Sequence, residues 1–79
     1  MRVLLVEDDA ALSEAVCDYL RAKAFVVDAV PSLAQAEAAL HAARYAAVLL
    51  DLHLADGDGL ALLPRVRALR ERPIVIVLT

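Results

Sequence analysis

Two apolar runs in this chain end abruptly in acids. Val3-Leu4-Leu5-Val6 leads straight into Glu7-Asp8-Asp9, and Ala46-Ala47-Val48-Leu49-Leu50 stops at Asp51. If both runs are strands, adjacent and parallel, four carboxylates meet at one edge of a sheet. Like charges so close repel strongly, and the arrangement calls for a cation or some other compensation. Magnesium suits such a set, because it takes oxygen ligands in octahedral array, typically a couple of carboxylates with waters and phosphate oxygens. Aspartate is also a nucleophile toward phosphorus and forms an acyl phosphate. The pattern points to a magnesium site beside a reactive Asp51. A further apolar run, Ile74 to Leu78, ends in Thr79, whose hydroxyl can hydrogen-bond a phosphoryl oxygen at the same edge.

The elements that must position these groups alternate in period. Arg2 to Val6, Phe25 to Ala29, Ala46 to Leu50 and Ile74 to Leu78 read as short strands. The first is continuously apolar, as expected of a strand covered on both faces. Between them, helical spacing recurs. Leu12, Ala15, Val16, Tyr19 and Leu20 predict an apolar face on a helix from Ala10 to Lys23. Leu33, Ala36, Leu40 and Ala43 predict one running to about Arg44, with Ser32 and Gln35 forming a capping box at its start. Leu60, Leu63, Val66 and Leu69 predict a third, starting near Leu60 or Ala61 so that Pro64 falls in or just after the first turn, where proline costs little. Strands alternating with helices imply parallel pairing through right-handed crossovers, with ligands gathering at the carboxyl ends of the strands.

The bulk properties narrow the class. The chain has 79 residues, enough for one small domain, and is 62% hydrophobic but only 4% aromatic, which excludes disorder and requires a core of Ala, Val and Leu. A net charge of −3 argues against nucleic-acid binding through a broad basic face. Lys23 is the only lysine, and Arg65, Arg67, Arg70 and Arg72 cluster as the solvated side of a helix would. Cys17 is alone, which fits a reducing cytoplasm and a packing role. No apolar run approaches a membrane span, and no signal peptide precedes the first strand. Asp56-Gly57-Asp58-Gly59 lacks the ligand spacing of an EF-hand and reads as a turn into a helix, with Asp58 as its cap. No glycine-rich turn follows the first strand, so a dinucleotide site is not expected.

With these residues in hand, the sequence resembles the receiver domain of bacterial two-component response regulators. The matching segments are Val-Leu-Leu-Val-Glu-Asp-Asp at the start, Asp51-Leu52-His53-Leu54 in the centre, the turn Asp58-Gly59, and the closing Ile-Val-Ile-Val-Leu-Thr. The opening is most similar to the OmpR/PhoB-like subgroup, whose receivers precede a winged-helix DNA-binding domain. The resemblance implies a flavodoxin-like (CheY-like) doubly wound α/β fold, here four parallel strands in the order 2-1-3-4 with three helices. It implies that Asp51 is the phosphoacceptor, that Glu7 and Asp8 position Mg2+ together with Asp51 and the main-chain carbonyl of His53, and that Thr79 supplies the switch hydroxyl. The implied partner is a sensor histidine kinase, the implied location cytoplasmic, and the implied role signalling rather than catalysis on an external substrate.

Departures from the family pattern carry their own expectations. Ala55 stands where the family usually has proline, which loosens the loop after Asp51. The family pattern continues beyond the position of Thr79 with a helix, a strand ending in a lysine that pairs with the phosphoryl group, and a last helix. Lys23 is too far along the first helix to replace that lysine. The chain on its own is therefore expected to expose the edge of its last strand and part of one sheet face, and to form homo-oligomers through them. It is expected not to touch nucleic acid directly, nor a membrane. The alternative expectation is a receiver fragment that cannot switch and serves as a self-associating interaction module.

Overall fold

The computed structural model describes residues 1–78. Four parallel strands form the main sheet: β1 (Arg2–Val6), β2 (Val26–Val30), β3 (Ala47–Leu50) and, after two short strands, β6 (Ile74–Val77). Their order is β2-β1-β3-β6, which is the expected 2-1-3-4 once the two-residue strands β4 (His53–Leu54) and β5 (Gly57–Asp58) are set aside as a separate antiparallel ribbon. The chain steps outward from β1 to β2 on one side, then crosses to β3 on the other. The topological switch point lies between β1 and β3, where this class of sheet binds its ligands.

Each face of the sheet has its own core. Leu4, Val6, Val48 and Leu50 point to one face and pack with Ala36 and Leu40 of α2 (Leu33–Ala42) and with Leu62 and Val66 of the third helical segment. Leu5 and Val27 point to the other, against Cys17 of α1 (Ala10–Ala22), with Val16, Leu20, Phe25 and Leu49 around them. The two strands nearest the switch point are covered on both sides, which is why they read as unbroken apolar runs. Toward the amino ends of the strands, Arg2 pairs with Asp28 at 2.7 Å and the Tyr45 hydroxyl donates to Asp28 at 2.6 Å. Burial, followed by that carboxylate, pushes the Tyr45 phenol up to about 12.

Two expectations are corrected. On α1 the buried residue is Cys17, flanked by Val16 and Leu20, while Leu12, Ala15 and Tyr19 are exposed. The face is rotated by about one position, centred on Cys17, which is small and only weakly polar and packs with Leu5 and Val27. The third helix is also shorter than its apolar spacing suggests. A 3-10 turn (Gly59–Leu62) leads into α3 (Leu63–Arg67), whose second residue is Pro64. Proline lacks an amide to donate, so the α-helix starts where that loss falls among amides with no helical partner. Strand ends shift by one residue, with β2 ending at Val30 and β3 beginning at Ala47.

The end of α1 carries local strain. Phe25 N donates to Leu20 O and Ala24 N to Arg21 O, the paired bonds of a Schellman cap. That cap needs a left-handed residue, and Ala24 adopts φ +69° to supply it. Glycine normally occupies this place, since a Cβ disfavours the conformation.

Candidate metal and phosphoacceptor site

The register of the sheet builds the site. Val6 is paired with Leu50, so the next residues, Glu7 and Asp51, leave the sheet side by side at the switch point. The ladder extends one bond beyond each strand and holds them there. Glu7 N donates to Val30 O at 3.1 Å, and Asp51 N donates to Val6 O at 3.0 Å. Both side chains are buried, unusual for acids, while Asp8 is exposed beside them. Carboxylate oxygens of Glu7, Asp8 and Asp51 all lie within 4.8 Å of one another.

The electrostatics follow from this crowding. Burial pushes the Glu7 carboxyl up from its ordinary value, and the nearby Asp51 and Asp8 push it further, against the opposing pull of the Asp9 amide. That amide donates to Glu7 Oε1 at 3.1 Å and fixes its rotamer. Asp9 turns outward and caps α1, accepting from Leu12 N at 3.0 Å. Asp51 accepts from His53 N at 3.1 Å through Oδ1. A set of three carboxylates suits a hard divalent cation. Oxygens within 4.8 Å of one another are close enough to share one small ion, since ligands bonded at about 2.1 Å lie about 3–4.2 Å apart.

The loop after Asp51 folds back over its shoulder. Gly59 N donates to Leu52 O at 2.8 Å, and a Cβ on Gly59 would collide with the Asp51 carbonyl oxygen and lie 3.0 Å from Leu52 Cα. Only glycine allows the 3-10 turn to start this close to the acid. Asp58 caps that turn by accepting from Leu60 N at 2.9 Å. An open cleft of about 490 Å³ lined by Asp8, His53, Ala55 and Asp58 leaves room for an incoming group.

Of the residues singled out in the sequence, Glu7, Asp8 and Asp51 come together. His53 contributes its amide to Asp51, with an exposed imidazole. Thr79 lies outside the described residues. Lys23 sits at the end of α1 with its ammonium 5.6 Å from the centre of the Tyr19 ring. Arg65 pairs with Glu37 on the exposed surface, and His41 is exposed as expected. One residue that sequence reasoning missed is Asp56. It accepts from Leu33 N at 3.0 Å and from Ala34 N at 3.2 Å, joining the loop after Asp51 to the start of α2.

This parallel sheet with its acids at the switch point is the architecture of the response regulator receiver domain, and residues 3–79 match that family. The chain belongs to it. The transcriptional regulatory protein PmrA of Pectobacterium parmentieri is 39% identical over 79 residues, all of this chain and 36% of that protein. The chain thus spans about a third of the length of such a relative. Among solved structures, a CheY-like response regulator receiver domain from Methylobacillus flagellatus superimposes with a TM-score of 0.90 at 34% identity, over 98% of this chain and 67% of that one. The MaeR response regulator bound to beryllium trifluoride gives a TM-score of 0.89 at 30% identity, over 100% and 66% respectively. Among the described residues, no helix is long and apolar enough to cross a membrane.

Proposed function

We propose that this chain is the phosphoacceptor module of a two-component response regulator, taking a phosphoryl group from a sensor histidine kinase onto Asp51. The observation that carries the reading is the meeting of Glu7, Asp8 and Asp51 oxygens within 4.8 Å at the switch point. An Asp51 carboxylate oxygen forms the new bond to phosphorus as the bond from phosphorus to the donor's histidine nitrogen breaks, leaving an acyl phosphate. When bound, Mg2+ supplies positive charge that offsets the phosphoryl oxygens and the carboxylates. Glu7 and Asp8 hold the ion with Asp51, and the His53 carbonyl is assigned as a further ligand. The His53 amide orients the nucleophile. Thr79 is assigned the switch hydroxyl on the evidence of the family pattern.

A relative that is a transcriptional regulatory protein, with nearly two thirds of its length beyond this match, supports a cytoplasmic role in transcription control through an output domain. MaeR in complex with beryllium trifluoride supports the phosphoryl assignment, since that ion mimics a phosphoryl group on a carboxylate. The test is intact-mass analysis after incubation with acetyl phosphate and magnesium. One phosphoryl mass should appear on the native chain, and it should be absent when the metal is chelated before the donor is added and absent from Asp51→Asn. Equal modification of the variant would overturn the assignment.

The outer strand favours a second property of the 79-residue chain, association with a second copy of itself. Ile74 is 67% exposed and Ile76 and Val77 are each 47% exposed, on an uncharged, β-branched strand. Strands of this kind template pairing with another chain. Sedimentation should show a dimer that Ile76→Lys converts to monomer, and a native chain that is monomeric at high micromolar concentration would remove this reading.

A further inference from the structure

The loop after Asp51 is fixed at two ends by different means. Near the acid it is held by the bond from His53 N to Asp51 and the bond from Gly59 N to Leu52 O. Between these anchors stands only the β4–β5 ribbon, with two residue pairs, His53 with Asp58 and Leu54 with Gly57. A two-stranded ribbon is marginal even at greater length, so this one takes its shape from what it is fastened to. Leu54 is its apolar anchor, buried in the core that includes Ala36 and Leu40 of α2. Asp56, at the tip, is its polar anchor.

We propose that Asp56 is a positioning residue for the metal site: by gripping the first turn of α2 it sets the ribbon, and through the ribbon the placement of His53 against Asp51. The proposal rests on the magnesium reading above. Both Asp56 oxygens are engaged, Oδ1 by Leu33 N and Oδ2 by Ala34 N. These are the first two residues of α2, whose amides have no partner within the helix. The next amide, Gln35 N, is taken by Ser32 Oγ at 3.2 Å. The cap of α2 is therefore divided between a local residue and one that reaches across from the loop of the site. Ser32 serves the helix alone, whereas Asp56 joins the helix to the loop. The site needs this link because Ala55 leaves the loop without a rigid residue, and Gly57, at φ +145°, adds freedom on the other side of Asp56. The Leu33 amide, and after it the Ala34 amide, hold the Asp56 carboxyl below its ordinary range, as expected of a carboxylate that accepts from two backbone donors.

Comparison of the two caps separates positioning from simple helix stabilisation. Magnesium binding is measured by calorimetry on the native chain, Asp56→Ala, Asp56→Asn, Ser32→Ala and Asp51→Asn, with the His53 amide followed by NMR. Removing outer-shell partners of a metal site typically costs 10–100-fold in affinity, so loss of this more distant anchor should weaken Mg2+ roughly three- to tenfold, and Ser32→Ala less than about twofold. Asp56→Asn, which keeps one acceptor oxygen, should fall between, and it carries the same comparison if Asp56→Ala does not fold. The His53 amide resonance should shift in the Asp56 variants and stay in place in Ser32→Ala. Native affinity in both Asp56 variants, or equal weakening by Ser32→Ala, would overturn the proposal while leaving the metal site intact. A native chain that binds no more tightly than Asp51→Asn would overturn the magnesium reading and this proposal with it.

Discussion

Replacing Asp51 by Asn should make the metal-free chain more stable, although it removes the reactive group. The two buried acids, Glu7 and Asp51, have oxygens within 4.8 Å, and two unit charges at that distance repel by about 3.5 kcal/mol at an effective dielectric of about 20. Asp8 adds to the repulsion, but its exposure lets water screen most of its share. Asn has the same shape, and its carbonyl oxygen can still accept the His53 amide. Part of the repulsion is already relieved in the native chain, because the Glu7 carboxyl is raised and takes up a proton more readily. Allowing for that, Asp51→Asn should gain about 1–3 kcal/mol at mildly alkaline pH, where Glu7 is ionised in folded and unfolded chains alike. The gain should shrink as pH falls toward the raised Glu7 value, since the folded native chain then binds a proton that the unfolded chain has released. Urea denaturation in chelator measures it, and repetition in millimolar magnesium should stabilise the native chain and not the variant. If the variant is less stable than the native chain in chelator, or if magnesium stabilises both equally, the three acids do not share one field and the site is wrongly drawn.

Other consequences follow from single contacts. Gly59→Ala should cost about 1–3 kcal/mol in denaturant, the usual penalty of overpacking, and should also weaken magnesium binding, because the added methyl meets the Asp51 carbonyl oxygen and the Leu52 backbone. Ala24→Gly should stabilise the fold by about 0.5–1 kcal/mol, the left-handed strain of about 1–2 kcal/mol less the extra freedom glycine gives the unfolded chain. A thermal scan should show this as a rise of about 2–8 °C for a domain of this size. Asp28 titrates below its ordinary value because it accepts from Tyr45 and Arg2, so its contribution is present above the unfolded carboxyl range and is lost as pH falls through the folded value. Tyr45→Phe should therefore flatten the acid limb of the stability profile below about pH 4, and an unchanged limb would count against the pairing.

The strands and their acidic ends were legible because the physics that places them is local. A parallel strand covered on both faces must be apolar throughout, so the first charged residue marks where the chain leaves the sheet. Val6 and Leu50 are the last apolar residues of their runs, and their pairing brings Glu7 to Asp51. Helix faces were less legible. The spacing of α1 fits two overlapping stripes, and counting Leu12 and Tyr19 as core favoured the wrong one. The choice between the stripes depends on which residues meet Leu5 and Val27 across the sheet face, and Cys17, flanked by Val16 and Leu20, is the one buried there. The third helix failed for a related reason. Its apolar spacing continues through Pro64, but the close turn at Gly59 uses up the chain before an α-helix can form.

Asp56 shows what kind of contact escapes a reading of local pattern. Its partners lie 23 and 22 residues earlier in the chain, so no spacing rule connects them. One signal was nevertheless available. In a parallel α/β sheet, every helix that follows a strand begins at the rim where the strands end, so the start of α2 and the loop after Asp51 share that rim. The first amides of a helix there need acceptors, and Ser32 can satisfy only one of them. An acid on the neighbouring loop is then the natural partner, and of the two in Asp56-Gly57-Asp58-Gly59 one is already spent capping its own turn. Asking which unpaired amides reach the rim, as well as which acids do, leads to Asp56 before any coordinates are known.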